Sequence, residues 1–102
     1  MNPLGVIVWK KEGMPVERLA LIGEQPDPET DVVMWVIHNR LTLDFPGFYV
    51  MRRQWIHAGE IVIELTAVAS IDIETVRAQL PPGLVCMPPN PGDDHTIAEV
   101  WI

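Results

Sequence analysis

The stretch that decides the fold is FYVMRRQWIHAGEIVIELTAVAS, residues 48–70. Two runs rich in β-branched and aromatic residues flank Ala58-Gly59, and this pattern predicts a long antiparallel hairpin. Side chains alternate across a strand, so one face of the returning run is wholly apolar and is expected to meet the core. That face consists of Ile61, Ile63, Leu65, Ala67 and Ala69. The opposite, mixed face holds Val62, Glu64, Thr66 and Val68.

Strand patterns continue on the N-terminal side of this hairpin. Residues 5–10 (GVIVWK) and 15–22 predict a second hairpin, although a helix over 15–22 is an alternative because proline suits a first helical turn. Residues 28–41 also carry two signals. A helix start and an apolar repeat favour a helix, whereas the β-branched run 32–37 favours a buried strand, which we prefer.

The C-terminal side predicts one helix and two more strands. Asp72 is placed to cap a helix whose apolar stripe ends near Leu80, before two prolines. Residues 84–87 and the terminal run 95–102 have strand composition. Together these signals predict a single α+β domain, residues 1–102. We expect an antiparallel-rich sheet of about five to seven strands with one or two helices packed on one face.

Charge and composition limit the function classes. The 102 residues carry a net charge of -7, which disfavours nucleic-acid binding unless an oligomer gathers Arg40, Arg52, Arg53, Lys10 and Lys11 on one surface. No apolar run approaches the roughly 20 residues of a membrane-spanning helix, so no membrane association is expected. A single cysteine forms no internal disulfide. These features predict a cytoplasmic protein.

The sequence lacks the motifs of most common catalytic and metal-binding sites. The only serine, Ser70, lies outside any G-x-S-x-G pattern, and Cys86 sits in an apolar run that predicts a buried, unreactive thiol. Neither a phosphate-binding glycine loop nor a zinc-ligand motif is present. His38, His57 and His95 have no metal-ligand spacing. We therefore expect no cofactor and no metal.

The segment RRQWIH, residues 52–57, holds the candidate site residues of the sequence. On a strand, Arg52 and Arg53 point to opposite faces and cannot together bind one anion. Arg53 and Trp55 are residue types common in binding hot spots. His57 and Glu60 flank the expected hairpin tip, where a carboxylate would tune the imidazole as a general base.

The sequence allows two interpretations of Glu64 in this hairpin. It is either a further acid–base candidate or an ion-pair partner of one of the two arginines across the hairpin. Pairing with an arginine would make that arginine structural.

Four tryptophans are a large number for so small a core. Trp9, Trp35, Trp55 and Trp101 all fall in predicted strands, and those left exposed would form an interface or ligand pocket. Trp101 is the best interface candidate, because a terminal strand at a sheet edge can pair with a second subunit.

These observations favour a small acidic, non-enzymatic binding or protein-interaction module that self-associates through a strand edge. It would also meet a protein partner or small ligand. An inhibitor, immunity or antitoxin-like role suits the size and charge, but composition does not select it. The alternative is a small α+β-barrel enzyme or small-molecule-binding protein that uses a His/Glu pair.

Overall fold

A computed structural model describes residues 16–88, 92 and 94–102 of the chain. Its elements are β1 (Val16–Leu19), β2 (Val32–His38), β3 (Tyr49–His57), β4 (Glu60–Ile63), β5 (Val68–Ser70), α1 (Ile73–Arg77), β6 (Cys86–Met87) and β7 (Ile97–Trp101). The strand order is β1-β4-β3-β2-β7-β6, and β5 also pairs with β3. The α+β class is confirmed. The sheet is mixed, since β1 runs parallel to β4, and this part of the chain has one short helix.

The predicted hairpin is confirmed. β3 and β4 are antiparallel, with Trp55 opposite Val62 and His57 opposite Glu60. Ala58 and Gly59 form the tip with φ angles of 49° and 79°. Two successive positive φ angles match the right-handed twist of the flanking strands, which explains why a two-residue loop closes this hairpin.

The returning run is interrupted, and its predicted core face was wrong. β4 ends at Ile63, and the chain resumes as β5, which pairs with Tyr49, Val50 and Met51. Val62 of the mixed face is fully buried, whereas Leu65 is 50% exposed. Val62 lies opposite Trp55, and burial of that large ring decides the inward face more strongly than the number of apolar residues.

The two ambiguous segments resolve as strands where they are described. Residues 16–19 form β1 and residues 32–38 form β2. The partner run at 5–10 lies outside the described residues. The Asp72 carboxylate accepts a hydrogen bond from the backbone N–H of Glu74 at 3.1 Å, which confirms the predicted helix cap. Within the described ranges, no helix is long and apolar enough to cross a membrane.

The chain divides into two compact units, each with its own apolar cluster. Unit 1 contains described residues 16–33 and 53–65. Its core is made of Ala20, Trp55 and Val62, with Val33 packed against them. Most of the sequence-predicted site residues lie in this unit, namely Arg53, Trp55, His57, Glu60 and Glu64.

Unit 2 contains the described parts of Met34–Arg52 and Thr66–Ile102. Ile37, Met51 and Val76 form its buried centre. The partly buried side chains around this centre are Trp35, Tyr49, Val68, Ile73, Leu80 and Trp101. Helix α1 therefore contributes to the core of unit 2 through Val76, one of its five residues.

Candidate functional site

The predicted His/Glu pair at the hairpin tip does not form. His57 and Glu60 are opposite in the register, as expected. However, the Nδ1 atom of His57 lies 2.9 Å from Oδ1 of Asp31, which replaces Glu60 as the carboxylate partner. The Asp31 hydrogen bond and negative charge raise the pKa of His57. His57 thus acts as the cation of an ion pair when it is protonated.

Glu60 and Glu64 are both paired with arginines. Nε of Arg18 lies 2.7 Å from Glu60, and the same guanidinium also binds Glu24. Nη2 of Arg53 lies 2.8 Å from Glu64. The Arg53–Glu64 pair is the structural alternative that the sequence predicted for Glu64. Glu60 and Glu64 therefore each hold an arginine from a neighbouring strand of unit 1.

Trp55 belongs to the core and does not form the binding surface for which the sequence made it a candidate. Its side chain is 1% exposed. The Arg53 guanidinium lies 5.4 Å from the centre of its ring, a cation–π distance. The guanidinium of Arg53 therefore covers the indole ring, and the ring is not exposed to a ligand.

Trp101 is not on an edge strand. β7 lies between β2 and β6, with Trp101 opposite Trp35 on one side and Cys86 on the other. Because both sides of the strand are paired, edge addition at Trp101 would require β6 to leave. Its indole N–H donates to the Glu99 carboxylate at 3.0 Å. Cys86, expected to be buried, is exposed.

Arg52 belongs to unit 2, whereas Arg53 belongs to unit 1. Its guanidinium binds the Asp44 carboxylate at 2.5 Å within unit 2, which lowers the pKa of Asp44. Both groups line a pocket of about 400 Å³. The polar residues of the pocket wall are His38, Thr42, Asp44, Arg52, Asp94, His95 and Thr96. This volume lies within the range of ordinary small-ligand sites, roughly 300–1,000 Å³.

One wall of the pocket is a turn held by its own side chain. The Asp94 carboxylate accepts hydrogen bonds from the backbone N–H and the hydroxyl of Thr96, at 2.9 and 3.0 Å. Such local bonds are the reason that aspartate and threonine favour turns. They also lower the pKa of Asp94. The Thr96 hydroxyl is therefore held in one orientation, with its proton directed to Asp94.

His38 lies against this turn at the end of β2. The pairing register shifts between Ile37 and His38, and such irregularities re-aim side chains. Nδ1 of His38 lies 3.0 Å from the Thr96 oxygen. Since the hydroxyl proton goes to Asp94, the oxygen accepts from Nδ1–H, and the lone pair of neutral His38 is on Nε2. Burial, followed by the positive charge of Arg52, lowers the pKa of His38 and favours this neutral form.

Thr42 supplies a hydroxyl with unused bonding capacity. The residue is only 9% exposed, and its Oγ1 atom makes no hydrogen bond of ordinary length among the described residues. It lies close enough to Asp44 to contribute to that group's lowered pKa. A buried hydroxyl in a pocket wall needs a partner, because leaving it unpaired costs roughly 1–3 kcal/mol.

The sequence prediction missed this group of residues. His38 was considered only as a metal ligand, and Thr42, Asp94 and Thr96 were not singled out. The Asp94-His95-Thr96 turn pattern was the one available local signal. In the described part of the chain, no group of three histidine, cysteine, aspartate or glutamate side chains is close enough to hold a metal ion.

Comparison with known proteins yields no relative from which a function can be carried over. No protein-family model, curated protein or solved structure significantly matches the chain.

Proposed function

We propose that this chain is a non-enzymatic binding protein that holds a small organic ligand in the pocket of unit 2. The observation that carries the proposal is the buried Thr42 hydroxyl, which lacks an ordinary hydrogen bond in the wall of a pocket of about 400 Å³. Ligand sites combine apolar walls with a few convergent polar groups. Leu41 and Leu43 supply the apolar part of this wall, and His38 supplies a second polar group with spare capacity.

The structure of the wall supports binding without a large rearrangement. Asn39 fixes the loop start by accepting from the Leu41 N–H at 2.9 Å and donating to the His95 carbonyl at 3.0 Å. At the other end, the Arg40 side chain donates to the Gly47 carbonyl at 3.0 Å. These bonds hold the segment that carries Thr42 and Asp44, so little ordering of its backbone is needed when a ligand binds.

The experiment is an NMR titration of the isotope-labelled full chain with short-chain alcohols, amines, carboxylates and amides at millimolar concentration. We expect amide shifts to concentrate at residues 38–44 and 94–96. Thr42→Val keeps the side-chain shape and removes the hydroxyl, so binding should weaken about threefold to tenfold, the value of one hydrogen bond. Thr66→Val is the matched control, because Thr66 is exposed and does not line the pocket. Shifts scattered over the chain, or absent, would contradict the proposal.

A second candidate function is acid–base catalysis centred on His38. The observation in its favour is the chain of hydrogen bonds from Asp94 through Thr96 to Nδ1 of His38. It orients the ring and leaves Nε2 to take a proton from a bound substrate. If the protein is an enzyme, His38→Gln should abolish turnover of a compound while the compound still shifts the pocket amides. Binding with no turnover in the parent protein favours the first proposal.

Self-association, a protein partner and a cytoplasmic location remain predictions. The paired position of Trp101 removes the route first expected for a homo-oligomer, and in the described part of the chain β1 and β6 stand at the ends of the strand order. Light scattering of the parent protein measures the mass in solution directly.

A further inference from the structure

The pocket has an excess of negative charge. Among its described lining residues, two carboxylates, Asp44 and Asp94, stand beside one guanidinium, Arg52. The chain as a whole carries -7 with its histidines neutral. An anionic ligand would therefore meet a net repulsion, and it would have to displace Asp44 from Arg52 to gain a cationic partner.

Among the described residues of this pocket, Asp94 is the carboxylate that has no arginine or lysine partner. The Asp44 charge is compensated by Arg52 at 2.5 Å, whereas Asp94 accepts from the neutral groups of Thr96. Its other close neighbour is His95, whose Nδ1 lies 3.5 Å away in a side chain that is 82% exposed. All these contacts use Oδ1, so Oδ2 has no hydrogen-bond donor among the described residues. A cationic N–H donor would supply one.

The remaining polar groups of the pocket can also accept a hydrogen bond from a ligand. Nδ1 of His38 is used by Thr96, which leaves the Nε2 lone pair as an acceptor. The Thr42 hydroxyl can accept as well as donate. A primary ammonium group carries three N–H donors and a positive charge, so it suits an acceptor-rich site better than a hydroxyl does.

We propose, on the basis of the binding function above, that the pocket takes a small primary ammonium compound with a short alkyl chain. Its N–H groups donate to Nε2 of His38 and to the Asp94 carboxylate. Its alkyl chain lies against Leu41 and Leu43, which are 66% and 100% exposed at the pocket and gain apolar cover from the ligand.

The test compares three probes of nearly equal shape: butylammonium chloride, 1-butanol and sodium butyrate. Each is titrated into the isotope-labelled full chain at constant ionic strength, so that charge screening is the same. We expect butylammonium to bind about tenfold more tightly than butanol, because charged hydrogen bonds are roughly twice as strong as neutral ones. Butyrate should bind most weakly.

The outcomes separate this inference from the binding function. Tighter binding of butanol or butyrate than of butylammonium at residues 38–44 and 94–96 overturns the ammonium assignment, while the binding function stands. If none of the three probes, and none of the wider set, shifts these amides, both fail.

Two charge variants test whether the preference for butylammonium over butanol comes from Asp94. Asp94→Asn removes the charge but keeps a carbonyl oxygen that can accept from Thr96, and it should bring the butylammonium-to-butanol affinity ratio close to one. Glu17→Gln removes the same charge from an exposed side chain outside the pocket and should leave the ratio unchanged. An equal loss in both variants would show that the preference comes from net charge, which overturns the site.

Discussion

The charged groups of unit 1 and the polar groups that line the unit 2 pocket differ in how fully their hydrogen-bonding capacity is used. In unit 1, Arg18 binds two carboxylates, Arg53 binds Glu64, and His57 binds Asp31. In unit 2, the pocket retains the Nε2 lone pair of His38 and an incompletely bonded Thr42 hydroxyl. The most prominent charged residues of the sequence are thus structural, while less prominent polar residues have capacity left for a ligand. In this chain, unused bonding capacity indicates a candidate site that the charged residues of the sequence do not.

The largest effect is expected in the core of unit 1. Trp55→Ala should lower the free energy of unfolding by about 3–5 kcal/mol, because a 1%-exposed indole ring leaves a cavity when it is removed. Urea denaturation followed by circular dichroism measures the change. Leu43→Ala, at a fully exposed position, is the control and should change stability by less than about 0.5 kcal/mol. A loss below about 1 kcal/mol for Trp55→Ala would show that Trp55 is not the core anchor of unit 1.

Trp101→Ala tests unit 2 in the same way and should cost less. Trp101 is only partly buried, but it packs on the unit 2 cluster and donates to Glu99. We expect a loss of about 2 kcal/mol, from packing and one hydrogen bond to a charged group. Light scattering should give the same mass before and after the substitution. If the parent protein were an oligomer and the folded variant a monomer, the terminal strand would be a subunit interface after all.

A smaller effect is expected from the ion pairs of unit 1. Arg18→Met keeps much of the side-chain stem but leaves Glu24 and Glu60 unpaired, so stability should fall by about 1 kcal/mol at neutral pH, because water screens these partly exposed groups. Arg18 lowers the pKa of Glu24 to about 2, and the substitution should return it towards 4.5. A depressed carboxyl pKa contributes stability above 4.5, which is lost as the pH falls towards about 2. Carboxyl titration by NMR checks this, with Glu17→Gln as an exposed control.

The sequence predicts the local elements of this fold well. The Ala58-Gly59 tip and the Asp72 cap depend on residues close together in the chain, and both are found. The parallel pairing of β1 with β4 joins Val16 to Glu60, and no local pattern encodes such a distant partner. The inward face of β4 was misjudged for a related reason, since it depends on which side of the hairpin buries Trp55.

The candidate site was harder to predict than the fold. His38 and Thr96 are 58 positions apart, and His57 and Asp31 are 26 apart, so the partner of each histidine is set by the tertiary fold and not by local sequence. With Ala58-Gly59 taken as the hairpin tip, the sequence places His57 opposite Glu60, and this prediction is confirmed. It could not show that a loop carboxylate from Asp31 would reach the ring first, because that contact depends on tertiary structure.

The smallest effect, and the sharpest comparison of the two units, is the titration of their histidines. His57 has a raised pKa because Asp31 binds its charged form, and His38 has a lowered pKa because burial and Arg52 disfavour its charged form. Imidazole resonances followed by NMR should therefore titrate above 6.5 for His57 and below 6.5 for His38. Asp31→Asn should return the His57 value towards 6.5 and leave that of His38 unchanged.

The two shifts have opposite consequences for stability. For His57 the folded state binds the proton more tightly, so its contribution is complete below pH 6.5 and is lost as the pH rises through the raised pKa. For His38 the unfolded state binds the proton more tightly, so stability falls as the pH drops below 6.5 towards the lowered pKa. The stability difference between parent and variant should therefore change with pH in opposite directions for His57→Gln and His38→Gln. If both differences followed the pH in the same direction, one histidine would have been assigned the wrong environment, and a His38 that charges readily would no longer offer its Nε2 lone pair to a ligand.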